Sequence, residues 1–111
     1  MKDKVKKMAE VFKALGDPSR LRIIKMLASN PESTLCVADL AGRLGLTQPA
    51  TSQHIKILKN VEILEPKKAG FRTYYYVNPA ILAEYKAGVE ELFRMAFERC
   101  PENGTCKEKG G

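Results

Sequence analysis

The chain has 111 residues and a formal net charge of +6, from 19 Lys and Arg against 13 Asp and Glu. This length excludes a second domain, and the basic balance favours an anionic partner such as nucleic acid. No apolar run approaches the roughly 20 residues that span a bilayer, and the N-terminus lacks the apolar segment of a secretion signal. We therefore expect a cytoplasmic protein with reduced thiols and no membrane partner.

The first part of the chain is predicted to form three amphipathic helices separated by capping residues. Residues 4–15 place apolar side chains on one stripe, and Gly16 ends that helix. Asp17 and Pro18 are typical of the first positions of a second helix, which runs to about residue 29. A short third helix begins near Val37 and ends at Gly45.

The next segment predicts a fourth helix with two distinct faces, capped by Thr47. Its inward stripe is expected to consist of Ala50, His54, Ile57, Leu58 and Val61. The remaining side chains are hydrogen-bonding or cationic, as contacts to base edges and phosphates require. A helix of this kind, after another helix and a Gly turn, indicates a DNA-recognition helix. The DNA contacts predicted on it are Gln48, Thr51, Ser52, Gln53 and Lys56.

After this helix the hydrophobic period changes to that of strands. Residues 64–68 and 72–77 are predicted to pair as a hairpin, because Gly70 between them accepts a positive φ. Lys67, Lys68 and Arg72 lie near the hairpin tip and are expected to contact the phosphate backbone. Asn78 and Pro79 then begin a last helix of about twenty residues.

This order of elements predicts a mainly α fold with a two-stranded β-wing, a winged helix-turn-helix domain that covers residues 1–98. A small domain buries too little surface to expose so many apolar residues on its first and last helices. We therefore expect these two helices to form a homodimer. Residues 99–111 are predicted to be a flexible tail that contains cysteines.

Three motifs in this order resemble the ArsR/SmtB-type bacterial repressors. The resemblance involves an N-terminal signature (KALGDPSRLRI, residues 13–23), the recognition helix (LTQPATSQH, 46–54) and the wing (GFRTYYY, 70–76). It covers about residues 5–95. It implies a homodimer that binds a palindromic operator in double-stranded DNA and leaves it when an effector binds. Such proteins commonly repress genes for metal or metalloid efflux, or for redox stress.

Three cysteines and a single histidine restrict the effector site. The resemblance implies an arsenic-sensing segment at residues 35–40, with cysteines at the places of Cys36 and Ala38, and only Cys36 is present. The family's zinc site uses histidines of the last helix, whereas the only histidine is His54. The zinc site is therefore not expected in the form that the family usually has.

Cys100 and Cys106 enclose a loop whose Pro and Gly allow it to fold back, so both thiolates are predicted to bind one soft ion. Three thiolates suit As(III) or Sb(III), and Cys36 is the candidate third metal ligand. Its place at a helix N-cap is expected to favour its thiolate. No cofactor is obligatory. Cys36 is equally compatible with a simple replacement of a Ser cap, and the tail pair with a disulfide or with no role.

Two other classes of protein compete with a metalloid-responsive repressor. An enzyme is rejected, because the residue six positions after Cys100 is Cys106 rather than the Arg of thiol-based phosphate loops. The single histidine also leaves no base for a cysteine nucleophile. A winged helix that binds protein would carry acidic or apolar residues where Lys and Gln stand here. A thiol-redox or reactive-sulfur sensor of the same family stays open.

Overall fold

The structure, a computed structural model, describes residues 2–30, 32 and 34–99. In that part of the chain, five helices and one hairpin follow each other in the predicted order, which confirms the mainly α fold with a two-stranded wing. The elements are α1 (Lys2–Leu15), α2 (Pro18–Ala28), α3 (Val37–Leu44), α4 (Gln48–Asn60), β1 (Leu64–Ala69), β2 (Arg72–Val77) and α5 (Pro79–Arg99).

Side-chain caps begin three of the helices at the predicted residues. The Asp17 carboxylate accepts hydrogen bonds from the N–H groups of Ser19 and Arg20 at the start of α2. The Asn78 side chain does the same for the first turn of α5. Partial burial acts to raise the pKa of Asp17, but its two N–H donors outweigh burial and hold that pKa below its usual value. The caps of α2, α4 and α5, the one of α4 formed by Thr47, therefore define where these three helices start.

The core lies where α2, α3 and α4 meet the first residue of β1. Apolar side chains from each element are buried there, and α1 adds Val11 and Ala14. Burying each large aliphatic side chain contributes about 1.5–3 kcal/mol, so this cluster is the main source of stability. The fully buried side chains are those of Ile23, Leu40, Thr51, Leu58, Ile63 and Leu64.

The wing is an antiparallel hairpin whose two strands pair from Leu64↔Val77 at its base to Ala69↔Arg72 at its tip. β1 extends one residue further than predicted, so only Gly70 and Phe71 form the loop. A short extended segment before α3 also joins β2, a pairing that the sequence did not indicate. The Tyr75 N–H donates to the Leu35 carbonyl (3.3 Å), and the backbone of Cys36 pairs with that of Tyr74 as an isolated antiparallel β-bridge.

α5 packs against α1 and then continues beyond the core. Gly88 allows the close approach, since a Cβ there would lie 3.2 Å from the terminal methyl carbon of Met8. Beyond Gly88, every residue from Glu90 to Glu98 is exposed, including several large apolar side chains. In the described part of the chain, no helix combines the length and apolar character needed to cross a membrane.

α4 ends with a left-handed residue that is not glycine. Glu62 has φ 65°, its N–H donates to the Lys59 carbonyl (2.8 Å), and the Ile63 N–H donates to the Leu58 carbonyl (3.1 Å). This pattern of two bonds usually has Gly at the left-handed position, because a Cβ there costs about 1–2 kcal/mol. Gly45 occupies the equivalent position after α3, with φ 70°.

We expect Glu62→Gly to raise the free energy of unfolding by about 0.5–1 kcal/mol, since relief of strain exceeds the added flexibility of the unfolded chain. Gly45→Ala should lower it by about 1 kcal/mol, because only the positive φ, not space, opposes a Cβ there. Urea titrations at one fixed chain concentration measure both effects. Glu62→Ala keeps the strain and removes the carboxylate, so a gain with Ala as large as with Gly would contradict this account.

Candidate nucleic-acid interface

A three-residue turn connects α3 to α4 and sets the angle between them. Gly45 adopts the left-handed conformation, and the Leu46 N–H donates to the Ala41 carbonyl at 3.0 Å. The Thr47 hydroxyl oxygen then accepts from the Ala50 N–H (3.2 Å), which caps α4. The two helices thus form a compact helix-turn-helix, with α4 as the second helix.

The outer face of α4 is polar and accessible. Gln48, Ser52, Gln53 and Lys56 are all exposed. Their amide, hydroxyl and ammonium groups are able to exchange hydrogen bonds with base edges or phosphates. The structure therefore leaves four of the five predicted contacts on this helix free to meet a ligand, and their role in DNA binding stays a prediction.

Thr51 was wrongly predicted as a DNA contact. Its side chain is completely buried, and its hydroxyl donates to the Thr47 carbonyl at 2.9 Å. Ala50, predicted to face inward, is exposed. Leu58 and Val61 are buried as predicted. The buried residues within α4 are Thr51, Ile55 and Leu58, a stripe of helical spacing that begins one residue after the predicted one.

Arg20 connects the recognition helix to the end of α1. Its Nε donates to the Ala14 carbonyl at 2.6 Å, and its Nη1 lies 3.1 Å from His54 Nδ1. A guanidinium group only donates, so Nδ1 accepts and the ring carries its proton on Nε2. His54 is half-buried, which agrees with its predicted inward position. The role of Arg20 was not predicted.

Tyr85 connects α5 to the other end of α4. Its hydroxyl donates to the Val61 carbonyl at 2.7 Å, which satisfies a carbonyl at the end of the recognition helix. Burial, followed by the nearby carboxylates of Glu62 and Glu84, raises the pKa of Tyr85 and keeps the phenol a donor. α5 thus contacts the end of the recognition helix directly, and α1 is connected to its middle through Arg20 of α2.

The wing carries the other predicted contacts. Lys67, Lys68 and Arg72 are exposed near its tip. The register places Lys67 and Arg72 on one face of the hairpin and Lys68 on the opposite face. Because no acidic residue stands between Pro66 and Val77, this part of the wing presents only positive charge.

Cys36 is the N-cap of α3 as predicted, and its thiol contacts the side chain of Asp39. Its Sγ lies 3.2 Å from an Asp39 carboxylate oxygen that also accepts the Cys36 N–H (3.0 Å). The hydrogen bond from the Cys36 N–H, and after it the one from the Cys36 thiol, lowers the pKa of Asp39. An ionised carboxylate only accepts, so the Cys36 thiol is the donor in this contact. The predicted preference of Cys36 for the thiolate stays a prediction.

The structure brings no complete metal site together in its described part. No group of three His, Cys, Asp or Glu side chains within residues 2–30, 32 and 34–99 is arranged to hold an ion. Of the three predicted metal ligands, Cys36 is partly exposed beside the wing. Cys100 and Cys106 lie outside the described residues.

Comparisons with known proteins agree with this geometry. The family model described as bacterial regulatory protein, arsR family, matches residues 17–65. An uncharacterised HTH-type transcriptional regulator of Methanocaldococcus jannaschii is 40% identical over 81% of this chain and 99% of its own. The arsenical resistance operon repressor of Staphylococcus aureus is 35% identical over 86% of this chain and 88% of its own.

A solved structure shares the arrangement of the helices and wing. It is the homodimeric winged helix-turn-helix DNA-binding domain of a possible ArsR-family regulator from Mycobacterium bovis, with a TM-score of 0.64 and 25% identity. The alignment covers 81% of this chain and 81% of that one. The likeness confirms the winged helix-turn-helix fold and, with the relatives, excludes an enzyme. The chain therefore belongs to the ArsR family of DNA-binding transcriptional repressors.

Proposed function

We propose that the chain is a homodimeric repressor that binds a palindromic operator and leaves it when its cysteines bind a trivalent metalloid. The observation that carries the DNA-binding part is the polar outer face of α4 beside a wing that is cationic from Pro66 to its tip. In a dimer, two such helices would enter successive major grooves about one helical turn apart. Each half-site would be read by one protomer.

The far half of α5 supports the dimer. Glu91, Arg94 and Glu98 form one charged stripe, with Arg94 paired to both carboxylates. Most of the remaining surface is apolar, and Leu92, Phe93 and Phe97 are exposed by 47%, 56% and 75%. A helix that is apolar over most of its surface is normally buried. Val5 and Phe12 of α1 are exposed too, and α1 packs against α5, so both helices offer apolar side chains to a second copy.

The proposed DNA contacts divide into two kinds. Gln48, Ser52 and Gln53 carry groups that discriminate base edges, with Lys56 at the side of the same face. Lys67, Lys68 and Arg72 carry positive charge on the wing, and contacts from such side chains to phosphates fix position without reading the base sequence. The recognition helix therefore supplies sequence specificity, and the wing supplies affinity that depends on salt.

The proposed effector site combines Cys100 and Cys106 with Cys36 as the third ligand. Soft thiolates select thiophilic ions such as As(III) and Sb(III), and a relative bears the name of an arsenical resistance operon repressor. Binding at Cys36 must release its thiol proton and break its hydrogen bond to Asp39. Effector binding would therefore disturb the start of α3, the first helix of the helix-turn-helix.

Phe93→Ser tests the dimer. Each protomer would lose about 2 kcal/mol of apolar burial, so the dimer dissociation constant should rise by roughly 1000-fold. Sedimentation velocity measures this, and operator binding should weaken with it. Phe71→Ser, which also removes an exposed Phe but from the wing, serves as the control and should stay dimeric. Unchanged sedimentation of Phe93→Ser would refute the proposed interface.

Gln53→Ala and Lys68→Ala test the division of the DNA contacts. We expect Gln53→Ala to lose about 1–3 kcal/mol of discrimination between the operator and random DNA. Lys68→Ala should weaken binding to the operator and binding to random DNA by the same factor. If about six phosphates are neutralised, the log–log salt slope is near −5, and loss of two Lys68 contacts reduces it by about 2. A flat slope in the unchanged protein would favour a protein-binding winged helix instead.

Serine variants of the cysteines test the effector. Arsenite should release the unchanged protein from labelled DNA taken from upstream of the protein's own gene. Fluorescence anisotropy of the labelled DNA measures this release. Cys100→Ser and Cys106→Ser should abolish release, and Cys36→Ser should weaken the response because one of three ligands is lost. Asp39→Asn keeps all three thiols and serves as the control. An unchanged arsenite response in both tail variants would reject the metalloid site, and release by peroxide or persulfide alone would indicate a thiol switch.

A further inference from the structure

Phe71 at the wing tip is fully exposed, with a relative accessibility of 109%. The other aromatic residues of the wing, Tyr74–Tyr76, belong to β2. Tyr74 and Tyr75 are partly buried, and Tyr76 has a relative accessibility of 36%. The remaining strongly exposed apolar side chains lie on helices, mostly on α1 and α5, whose surface has been assigned to the dimer. The core does not use Phe71, and no packing within the described protomer explains it.

The turn does not require a Phe either. Gly70 (φ 66°) supplies the left-handed position of the two-residue loop, and Phe71 is not among the residues with positive φ. Two-residue hairpins with Gly first accept many residues at the second position. A small polar residue would close the same loop and avoid exposing an aromatic ring to water.

Cations stand on both faces of the hairpin behind this ring. Lys67 and Arg72 point to one face and Lys68 to the other, as the pairings Lys67↔Tyr74, Lys68↔Thr73 and Ala69↔Arg72 require. An element with positive charge on two sides and an apolar leading edge fits a narrow cleft with anionic walls and a less polar floor. The minor groove of duplex DNA, about 6 Å wide and lined by phosphates, has this character.

We propose that Phe71 enters the DNA minor groove as an apolar wedge, between phosphates held by Lys68 on one side and Lys67 and Arg72 on the other. This inference rests on the proposed DNA binding of the wing and adds a contact that salt does not screen. Apolar side chains that enter the minor groove open base steps and favour sequences that deform easily. Phe71 therefore makes the wing sensitive to DNA sequence through deformability, without base-edge hydrogen bonds.

Salt series with matched variants separate the two kinds of contact. Dissociation constants would be measured by anisotropy for the unchanged protein, Phe71→Ala, Phe71→Leu and Lys68→Ala on labelled duplex from upstream of the protein's own gene. Phe71→Ala should weaken binding by roughly tenfold at every salt concentration, since apolar contact is not electrostatic. The log–log plot of its dissociation constant against salt concentration should run parallel to that of the unchanged protein. Lys68→Ala should change the slope, and Phe71→Leu should retain most of the affinity.

A second duplex locates the contact in the minor groove. Replacing guanine with inosine removes the N2 amino group from the minor groove and leaves the major-groove edge as it was. The unchanged protein should bind the inosine duplex more tightly, whereas Phe71→Ala should bind both duplexes equally. If the unchanged protein binds DNA with a steep salt slope but Phe71→Ala matches it on both duplexes, the wedge is overturned and the proposed repressor stands. If the unchanged protein does not bind, the proposed function itself fails.

Discussion

Burial of Thr51, Ile55 and Leu58 beneath α4 is the constraint on which the interface depends. Ile55 and Leu58 join the core formed with α2 and α3, and Thr51 on the same stripe is completely buried, so a rotation of α4 about its axis would expose these side chains. Their burial leaves Gln48, Ser52, Gln53 and Lys56 on the outside. The chemistry of the outer face is thus selected by what the inner face must bury, since the two faces share one helix.

The position of α4 is held by polar contacts at sites where packing alone would permit sliding. Arg20 connects its middle, through His54, to the carbonyl of Ala14 at the end of α1. Tyr85 of α5 holds its last carbonyl at Val61. α1 and α5 form the proposed dimer surface. In such a dimer, the same few contacts would therefore link the separation of the two protomers to the tilt of each recognition helix. An effector bound near either helix, as proposed, would therefore have a short physical route to the DNA.

Local signals in the sequence were sufficient for the elements, because caps and breakers act on their immediate neighbours. Asp17, Thr47 and Asn78 begin helices, and Gly45 ends one, as expected. The rotational phase of α4 was not determined in this way. Two stripes offset by one residue both have helical spacing, and Thr51 is polar by type although its hydroxyl is satisfied within its own helix.

Contacts between distant residues were beyond prediction for a different reason. Arg20 and His54 are 34 residues apart, and Tyr85 and Val61 are 24 apart, so no periodic pattern connects either pair. The contact between Cys36 and Asp39 joins residues only three apart in sequence, but the sequence alone does not show whether the Asp39 carboxylate meets the thiol or faces water. Cooperation of the cysteines in the proposed site is likewise a matter of three-dimensional placement.

The apolar far half of α5 has a consequence for gene dosage. While chains are mostly monomeric, the concentration of dimer rises with the square of the chain concentration, so doubling expression yields about fourfold more of the DNA-binding form. On the proposed dimer, repression would therefore respond steeply to the amount of protein made. In the proposed dimer, the exposed side chains of Leu92, Phe93 and Phe97 would set the concentration at which that response begins.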